Sequence, residues 1–271
     1  MKDCLICRKR DKYPICKICS KNTFNIERCR QMIANRGDLS TLKNMYSSLS
    51  KEIYDLNTNK FWDERLNEIQ RLQDQDGMTK ERVLTAISFI PKSARRILDI
   101  GAGYGFLEEA LSRVKCSYDM SGFDISQKAV ENLKKRFRGK FIKGSLYKPP
   151  YKKDELFDAI LALEVLEHIP PRKIFQVLRT FKKLLVHGGS FILSVPLNEG
   201  LRIKKDNPSG HVREYTKELI VAELLLAGFK VIKYHEMSAF KSFYRLKRLI
   251  QKAITIDRWQ TNDIVIQAIK P

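Results

Sequence analysis

Residues 96–105 read RILDIGAGYG, an apolar strand (Ile97, Leu98, Ile100) that runs into glycines at every second position and then into a helix-forming segment. Glycine at 101, 103 and 105 lets the backbone take positive φ and removes the Cβ that would hold a bulky ligand away. The helix expected from near Tyr104 (FLEEALSRV) turns its N-terminal N–H groups toward the same point. The spacing is GxGxG, not the GxGxxG of dinucleotide loops, and an acidic residue, Asp99, lies inside the strand. About twenty residues on, SGFDIS (121–126) ends a second apolar strand at Asp124. From that position a carboxylate reaches both hydroxyls of a ribose.

Working outward, strand and helix patterns alternate: RILDI, FLEEALSRV, SGFDI, QKAVENLKKRF stopped by Gly139, KFIKG, FDAILA, PRKIFQVLRTFKKLL stopped by Gly188 and Gly189, and SFILSVP. Such alternation predicts an α/β, doubly wound, mostly parallel sheet that binds ligands at the carboxyl ends of its strands. Thr216 caps a further helix (KELIVAELLLA) ending at Gly228, and KVIKYHEM with DIVIQAIKP form an antiparallel closing pair. The expected total is seven strands.

The glycine loop, Asp124, the stretch FDAILALEVLEHI (157–169) and GGSFILSVP (188–196), in this order, resemble the class I S-adenosylmethionine-dependent methyltransferases, most closely the type 11-like group with an LEHI signature after the fourth strand. The resemblance covers roughly residues 83 to 271 and implies S-adenosylmethionine as cofactor. By resemblance, Asp99, Gly101, Ala102, Gly103 and Tyr104 line its methionine and ribose portion, Asp124 holds the ribose hydroxyls, and Ile125 packs on the adenine. Where the family usually has an aspartate for the adenine amino group this chain has Ser145, whose hydroxyl can accept the same hydrogen bond, as can the Leu146 backbone. Glu164 is expected at the cofactor and, with Glu167 and His168, at the acceptor. GHVREYT (210–216) resembles the segment that closes over the acceptor pocket, which makes His211 the candidate acceptor-side base and leaves Arg213 and Tyr215 as neighbours. The NPPY-type motif of amino-group methyltransferases is absent; LALEVLEH stands there. Cys29 and Cys116 lie outside any strand-end motif, which argues against cytosine C5 chemistry.

Ahead of this unit, Cys4, Cys7, Cys16 and Cys19 form C-x2-C-x8-C-x2-C, a spacing that brings four thiolates to one tetrahedral ion, zinc first and iron second. The expected organisation is a zinc knuckle over 1–24, a helical lead-in or cap over 25–82 and the methyltransferase domain over 83–271. In the lead-in, the helix starting at Phe61-Trp62 either covers the cofactor or simply packs.

The chain of 271 residues carries a net charge of +20. That favours polyanionic partners such as RNA or an anionic membrane surface, but the excess is spread along the chain, as a lysine-rich proteome would also produce. A basic amphipathic helix over 241–254 could touch a membrane or nucleic acid, or dock on the catalytic domain. There is no run of about 18 apolar residues, and the start MKDCLICRKR has no apolar core, so neither a transmembrane helix nor a signal peptide is expected and a cytoplasmic location is. The acceptor is expected to be a small molecule or a glycan or lipid precursor. RNA, bound through the basic knuckle, is the alternative, and a non-catalytic cofactor- or RNA-binding regulator is the reading from another class. One measurement follows from the cysteines: the purified protein should carry about one zinc ion per chain, and four freely reactive thiols without metal would remove the knuckle.

Overall fold

The computed structural model describes residues 2–3, 10–11, 57–73, 77–114, 117–152, 154–197, 210–213, 215–239, 244, 247, 249–250 and 261–271. Two short strands, β1 (Lys2–Asp3) and β2 (Arg10–Asp11), pair antiparallel with Lys2 opposite Asp11. The four knuckle cysteines, residues 25–56 of the expected helical lead-in (NIERCRQMIANRGD and LSTLKNMYSSLSKEIYDL, each helical in pattern) and most of 241–254 fall outside the described residues.

Helices α1 (Asn59–Gln73) and α2 (Gly77–Ser88) precede the sheet. The alternating unit follows: β3 (Arg96–Ile100), α3 (Phe106–Ser112), β4 (Asp119–Asp124), α4 (Gln127–Arg136), β5 (Lys140–Lys143), β6 (Phe157–Leu163), a 3-10 turn over Leu166–His168, α5 (Pro171–Leu184), β7 (Leu185–Pro196), α6 (Lys217–Leu226), β8 (Lys230–Met237) and β9 (Asp263–Ile269). The seven-stranded sheet runs β5-β4-β3-β6-β7-β9-β8. Strands β3 to β7 pair parallel with one another, and β9 is antiparallel to both β7 and β8. The mostly parallel sheet and its antiparallel closing pair match the sequence pattern.

Strand residues alternate between two cores. Leu98, Ile100, Ile160 and Ala162 pack with Val177, Phe181 and Leu224 of α5 and α6, while Ile97, Ala159 and Leu161 pack with Ala86, Leu107 and Leu133 of α2, α3 and α4. Period-two side-chain alternation divides each strand this way, and burial on both faces explains why strands such as FDAILAL are apolar almost throughout. Ser126 caps α4 by accepting from Ala129 N at 3.0 Å, and Thr216 caps α6 by accepting from Leu219 N at 3.3 Å. Both are expected N-cap chemistry.

One boundary differs from the sequence pattern. The fifth helix ends at Leu184, and β7 already begins at Leu185, before the two glycines that were expected to separate helix from strand. Gly188 sits at φ 75° with its N–H on Lys270 O, and Lys270 N returns a bond to Gly189 O. The register against β6 shifts between Phe157 and Ala159. The glycines therefore form an irregularity inside the first half of β7, held by Lys270 just past β9, a pairing remote in the chain that local pattern does not reveal.

Among the described residues, no helix is long and apolar enough to cross a membrane.

Candidate functional site

Strands β3 and β6 are neighbours, but the chain leaves β3 toward β4 and leaves β6 toward β7, so their loops part and open a crevice at the carboxyl end of the sheet. A cavity of about 550 Å³ occupies it, within the ~300–1,000 Å³ usual for small-molecule sites. All the cofactor-side candidates line this one space: Asp99 and the 101–104 loop, Asp124 and Ile125, Ser145 and Leu146, and Glu164; His168 and His211 stand in its wall as well.

The nucleotide end is built by backbone. Gly101 N and Ala102 N both donate to Phe123 O, at 2.9 and 3.3 Å, which ties the glycine loop to the end of β4. Gly103 N donates to Asp124 Oδ2 at 2.9 Å, and Ser126 N donates to Oδ1 at 2.8 Å. Asp124 thus accepts from main-chain N–H groups of Gly103, Ser126 and Ile125, and the carboxylate keeps capacity for a further donor. Burial raises the Asp124 pKa while those N–H bonds oppose the rise. At Gly101, φ 69°, a Cβ would stand 2.8 Å from Val165 Cγ2; at Gly103, φ 53°, it would meet little more than Gly101 O at 3.8 Å and would point into open space. Glycine is required at the first for packing and conformation, and at the second it leaves room for a ligand. These features fit an adenosine-type cofactor: a carboxylate with acceptor capacity to spare, beside a loop whose Gly103 presents no side chain. Ser145 reaches the cavity with its hydroxyl accepting from Tyr147 N at 3.3 Å.

Helix α1 covers this end. Ser126 Oγ donates to Asp63 at 2.5 Å, and Trp62, Arg65 and Leu66 line the cavity. The Trp62 ring meets His168 edge-on at 4.8 Å. The Phe61-Trp62 helix thus both lines the cavity and packs, through Trp62, on Phe61 and His168.

The far end is built by side chains. Glu164, just past β6, has φ 57°, a conformation non-glycine residues rarely hold and one that clusters at functional sites. It is fixed from three sides: Ser194 Oγ donates to its Oε1 at 2.8 Å, its N–H bonds Ser194 O at 3.2 Å, and Arg82 lies 3.2 Å from Oε2. Arg82 Nε also donates to Asp263 Oδ2 at 2.7 Å. Burial disfavours the Arg82 charge, but Glu164 and Asp263 outweigh it and hold the guanidinium protonated. Next to Glu164, the 3-10 turn presents Glu167, fully buried, and His168. The 210–213 segment brings His211, its ring 4.9 Å from that of His168. Burial first, and His211 second, push the His168 pKa down to about 3, so this ring is uncharged at neutral pH.

Sequence reasoning passed over Arg82, Asp263 and Asn57, whose Nδ2 donates to His168 O at 3.0 Å and Gly210 O at 3.3 Å. A signal for Arg82 existed: it shares the buried face of α2 with Thr79, Val83 and Ala86, and a charge on an apolar stripe is an informative exception. Conversely, Arg213 and Tyr215 do not line the cavity. Arg213 is ion-paired with Glu223 of α6, and Tyr215 OH donates to the same carboxylate at 3.0 Å.

Residues 67–234 match the family model described as "Methyltransferase domain". A curated relative, a ubiquinone biosynthesis O-methyltransferase of Caulobacter sp. (strain K31), is 31% identical over 118 residues, 41% of this chain and 44% of that enzyme, so the match spans less than half of the relative. Among solved structures, a chain of the complex between the Haloferax volcanii Trm112 methyltransferase activator and a methyltransferase superposes with TM-score 0.60 at 16% identity, covering 78% of this chain and 97% of that one. The N-methyltransferase NodS of Bradyrhizobium japonicum in complex with S-adenosyl-L-homocysteine gives TM-score 0.54 at 16% identity, over 73% and 90%. At such identities the structures speak for the fold alone.

Behind the loop, Asp99 and Glu108 face each other in a buried setting. Neither Glu108 oxygen has a hydrogen-bond partner within bonding distance, so burial beside Asp99 favours a proton on the pair. Burial, with the neighbouring carboxylate, raises Asp99 well above the usual aspartate range, and burial pushes Glu108 up to about 7. Between pH 4.5 and about 7 the folded chain therefore keeps a proton that the unfolded chain releases. Stability contributed by that proton is full below the window and is lost as pH rises through it. Urea unfolding should show a midpoint that falls across this range, and Glu108→Gln, which is neutral at any pH, should flatten the fall and exceed the parent above pH 7.

Proposed function

This chain belongs to the methyltransferase-domain family, the class I S-adenosylmethionine-dependent methyltransferases, and from that premise we propose that it methylates an oxygen of a small-molecule or a glycan or lipid precursor. The observation that carries the reading is the continuity of one cavity from Asp124 and the glycine loop, through Glu164, to His168 and His211. Cofactor and acceptor ends share a single space with no partition among the described residues. The partial match to an O-methyltransferase supports oxygen as the receiving atom.

When bound, S-adenosylmethionine supplies a methyl group on a positively charged sulfur, so transfer is an in-line displacement whose main demands are alignment and exclusion of water. In this chain Asp124 accepts the ribose hydroxyls, Gly103 allows close approach, and Ser145 or the Leu146 backbone reads the adenine edge. Trp62 and Leu66 of α1 shield the cavity from solvent. Glu164, fixed by Ser194 and Arg82, shapes the wall between the two ends. His168, uncharged and already bonded to Gly210 O at 3.1 Å, is a poor proton acceptor, and it orients the acceptor instead. His211 stands beside it, at the acceptor's nucleophile. The four-cysteine knuckle is proposed as a structural zinc site that docks on the domain or on a partner.

Two measurements test this. Asp124→Ala should weaken S-adenosylmethionine binding by about 1–3 kcal/mol through loss of charge-assisted hydrogen bonds; unchanged affinity in calorimetry would displace Asp124 from the ribose. Radiolabelled cofactor incubated with source-cell extract should label the organic or small-molecule fraction. Label in RNA that disappears after nuclease treatment would instead make the basic surface and the knuckle a nucleic-acid platform.

A further inference from the structure

We propose that Glu167, His168 and His211 bind a divalent first-row metal ion at the acceptor end of the cavity, an inference that rests on the methyltransferase reading and assigns these residues a role as ligands instead of proton carriers. Among the described residues, the three offer one carboxylate oxygen and two imidazole nitrogens within 4.8 Å of one another. Two histidines and a carboxylate on one side of an ion, with the other positions open, is a donor set that suits zinc, iron or manganese and leaves room for a substrate oxygen.

The separations are too wide for hydrogen bonds and leave a gap between the three donors. Both histidines turn Nε2 toward the same oxygen: His168 Nε2 stands 3.7 Å from Glu167 Oε1, and His211 Nε2 stands 4.0 Å from it. Hydrogen bonds between such groups span about 2.7–3.2 Å. Donor atoms that each lie about 2.1 Å from one metal ion are instead roughly 3.0–3.4 Å apart at octahedral or tetrahedral angles. The observed spacings, 3.7 and 4.0 Å with the whole set within 4.8 Å, exceed the wider figure by about 0.3 to at most ~1.4 Å, so the side chains draw inward when an ion binds.

The surroundings hold the donors in place. His168 Nδ1 lies 3.1 Å from Gly210 O, so its proton is used there and the lone pair of Nε2 is left toward Glu167. A backbone acceptor on the far nitrogen is the usual way to fix the tautomer and direction of a ligating histidine. The two segments that carry the ligands are laced together, with Val212 N donating to Glu167 O at 3.0 Å and Asn57 Nδ2 bridging His168 O and Gly210 O. Trp62 packs edge-on against His168, which itself packs edge-on against His211. The set is thus preorganised on fixed backbone, as a metal site requires.

An ion here gives the acceptor chemistry a definite form. A hydroxyl that coordinates one of the open positions loses its proton to water more readily, because the cation stabilises the oxyanion left behind. That oxyanion is the nucleophile for the methyl group, and no side chain need carry the proton.

The test uses Mn²⁺ as probe on the full chain with its knuckle left as purified, because a hard ion of this kind does not compete for four thiolates. Calorimetry and Mn²⁺ electron paramagnetic resonance are run on the parent, Glu167→Gln and His211→Ala, with S-adenosylhomocysteine affinity measured on the same samples. The parent should bind about one Mn²⁺ per chain, and each variant that still binds S-adenosylhomocysteine should bind Mn²⁺ at least ~10-fold more weakly. Mn²⁺ binding that is absent in the parent, or equal in a cofactor-binding variant, overturns the metal site and leaves the methyltransferase reading standing. Loss of S-adenosylhomocysteine binding in the parent itself overturns both. The two variants sit on separate segments, so a folding failure in one leaves the other to decide.

Discussion

A guanidinium at 6% exposure must be paired, and the pairing of Arg82 fixes where three distant segments meet. Its partners are Glu164, at the end of β6, and Asp263, at the start of β9, 181 residues away in the chain. Helix α2 is thereby clamped across the carboxyl end of the sheet. The same clamp holds Glu164 in its left-handed conformation, with Ser194 on the other side, and so sets the direction in which the chain enters the 3-10 turn bearing Glu167 and His168. Removal of one partner from such a group strands a buried charge, which is costly by several kcal/mol. The interaction therefore explains how the segment that carries Glu164, Glu167 and His168 keeps a defined shape beneath a cavity.

The nucleotide end solves the equivalent problem with main-chain groups. Asp124 takes an N–H from Gly103 and another from Ser126, and Ser126 in turn caps α4 and donates to Asp63 of α1. Loop, strand, helix and cover are joined through one carboxylate. Main-chain donors are present whatever the surrounding side chains, provided that glycine permits the turn. This end can therefore serve a constant ligand while the rest of the chain changes.

That division explains what could be read from the sequence. The alternating strands, the glycine loop, Asp124 and the capped helices are local patterns, each set by neighbours within a few residues, and the sheet delivers them to one place by its switch in strand order. The participants that escaped notice are joined by long-range pairing. Asp263 in DIVIQAI reads as an ordinary strand start, and nothing near it points to Arg82. Arg213 and Tyr215 looked like pocket residues because they follow His211, yet β-bridge pairing of Leu197 with Tyr215 turns that side chain under α6, where Glu223 receives both. The glycines of β7 misled for a similar reason, since the carbonyl and N–H of Lys270 allow the strand to continue through them. The covering role of Trp62 lay between the two cases: its helix was legible, whereas its contact with His168 depends on Asn57 holding the lead-in against the 210–213 segment.

The two ends of the cavity also differ in what they demand of an evolving sequence. At the nucleotide end, Gly101 cannot accept even a methyl group without meeting Val165, and Asp124 supports three elements at once, so variation is constrained by the fold itself. At the acceptor end the groups that face the cavity, His168 and His211, are carried by a short turn and a four-residue segment whose backbone is held by Asn57, Val212 and Gly210. Change there alters what is held without altering what holds it, provided Arg82 and Glu164 keep the turn in position. The shape of the acceptor site is therefore inherited from buried ion pairing, and its chemistry from a few side chains placed upon that support.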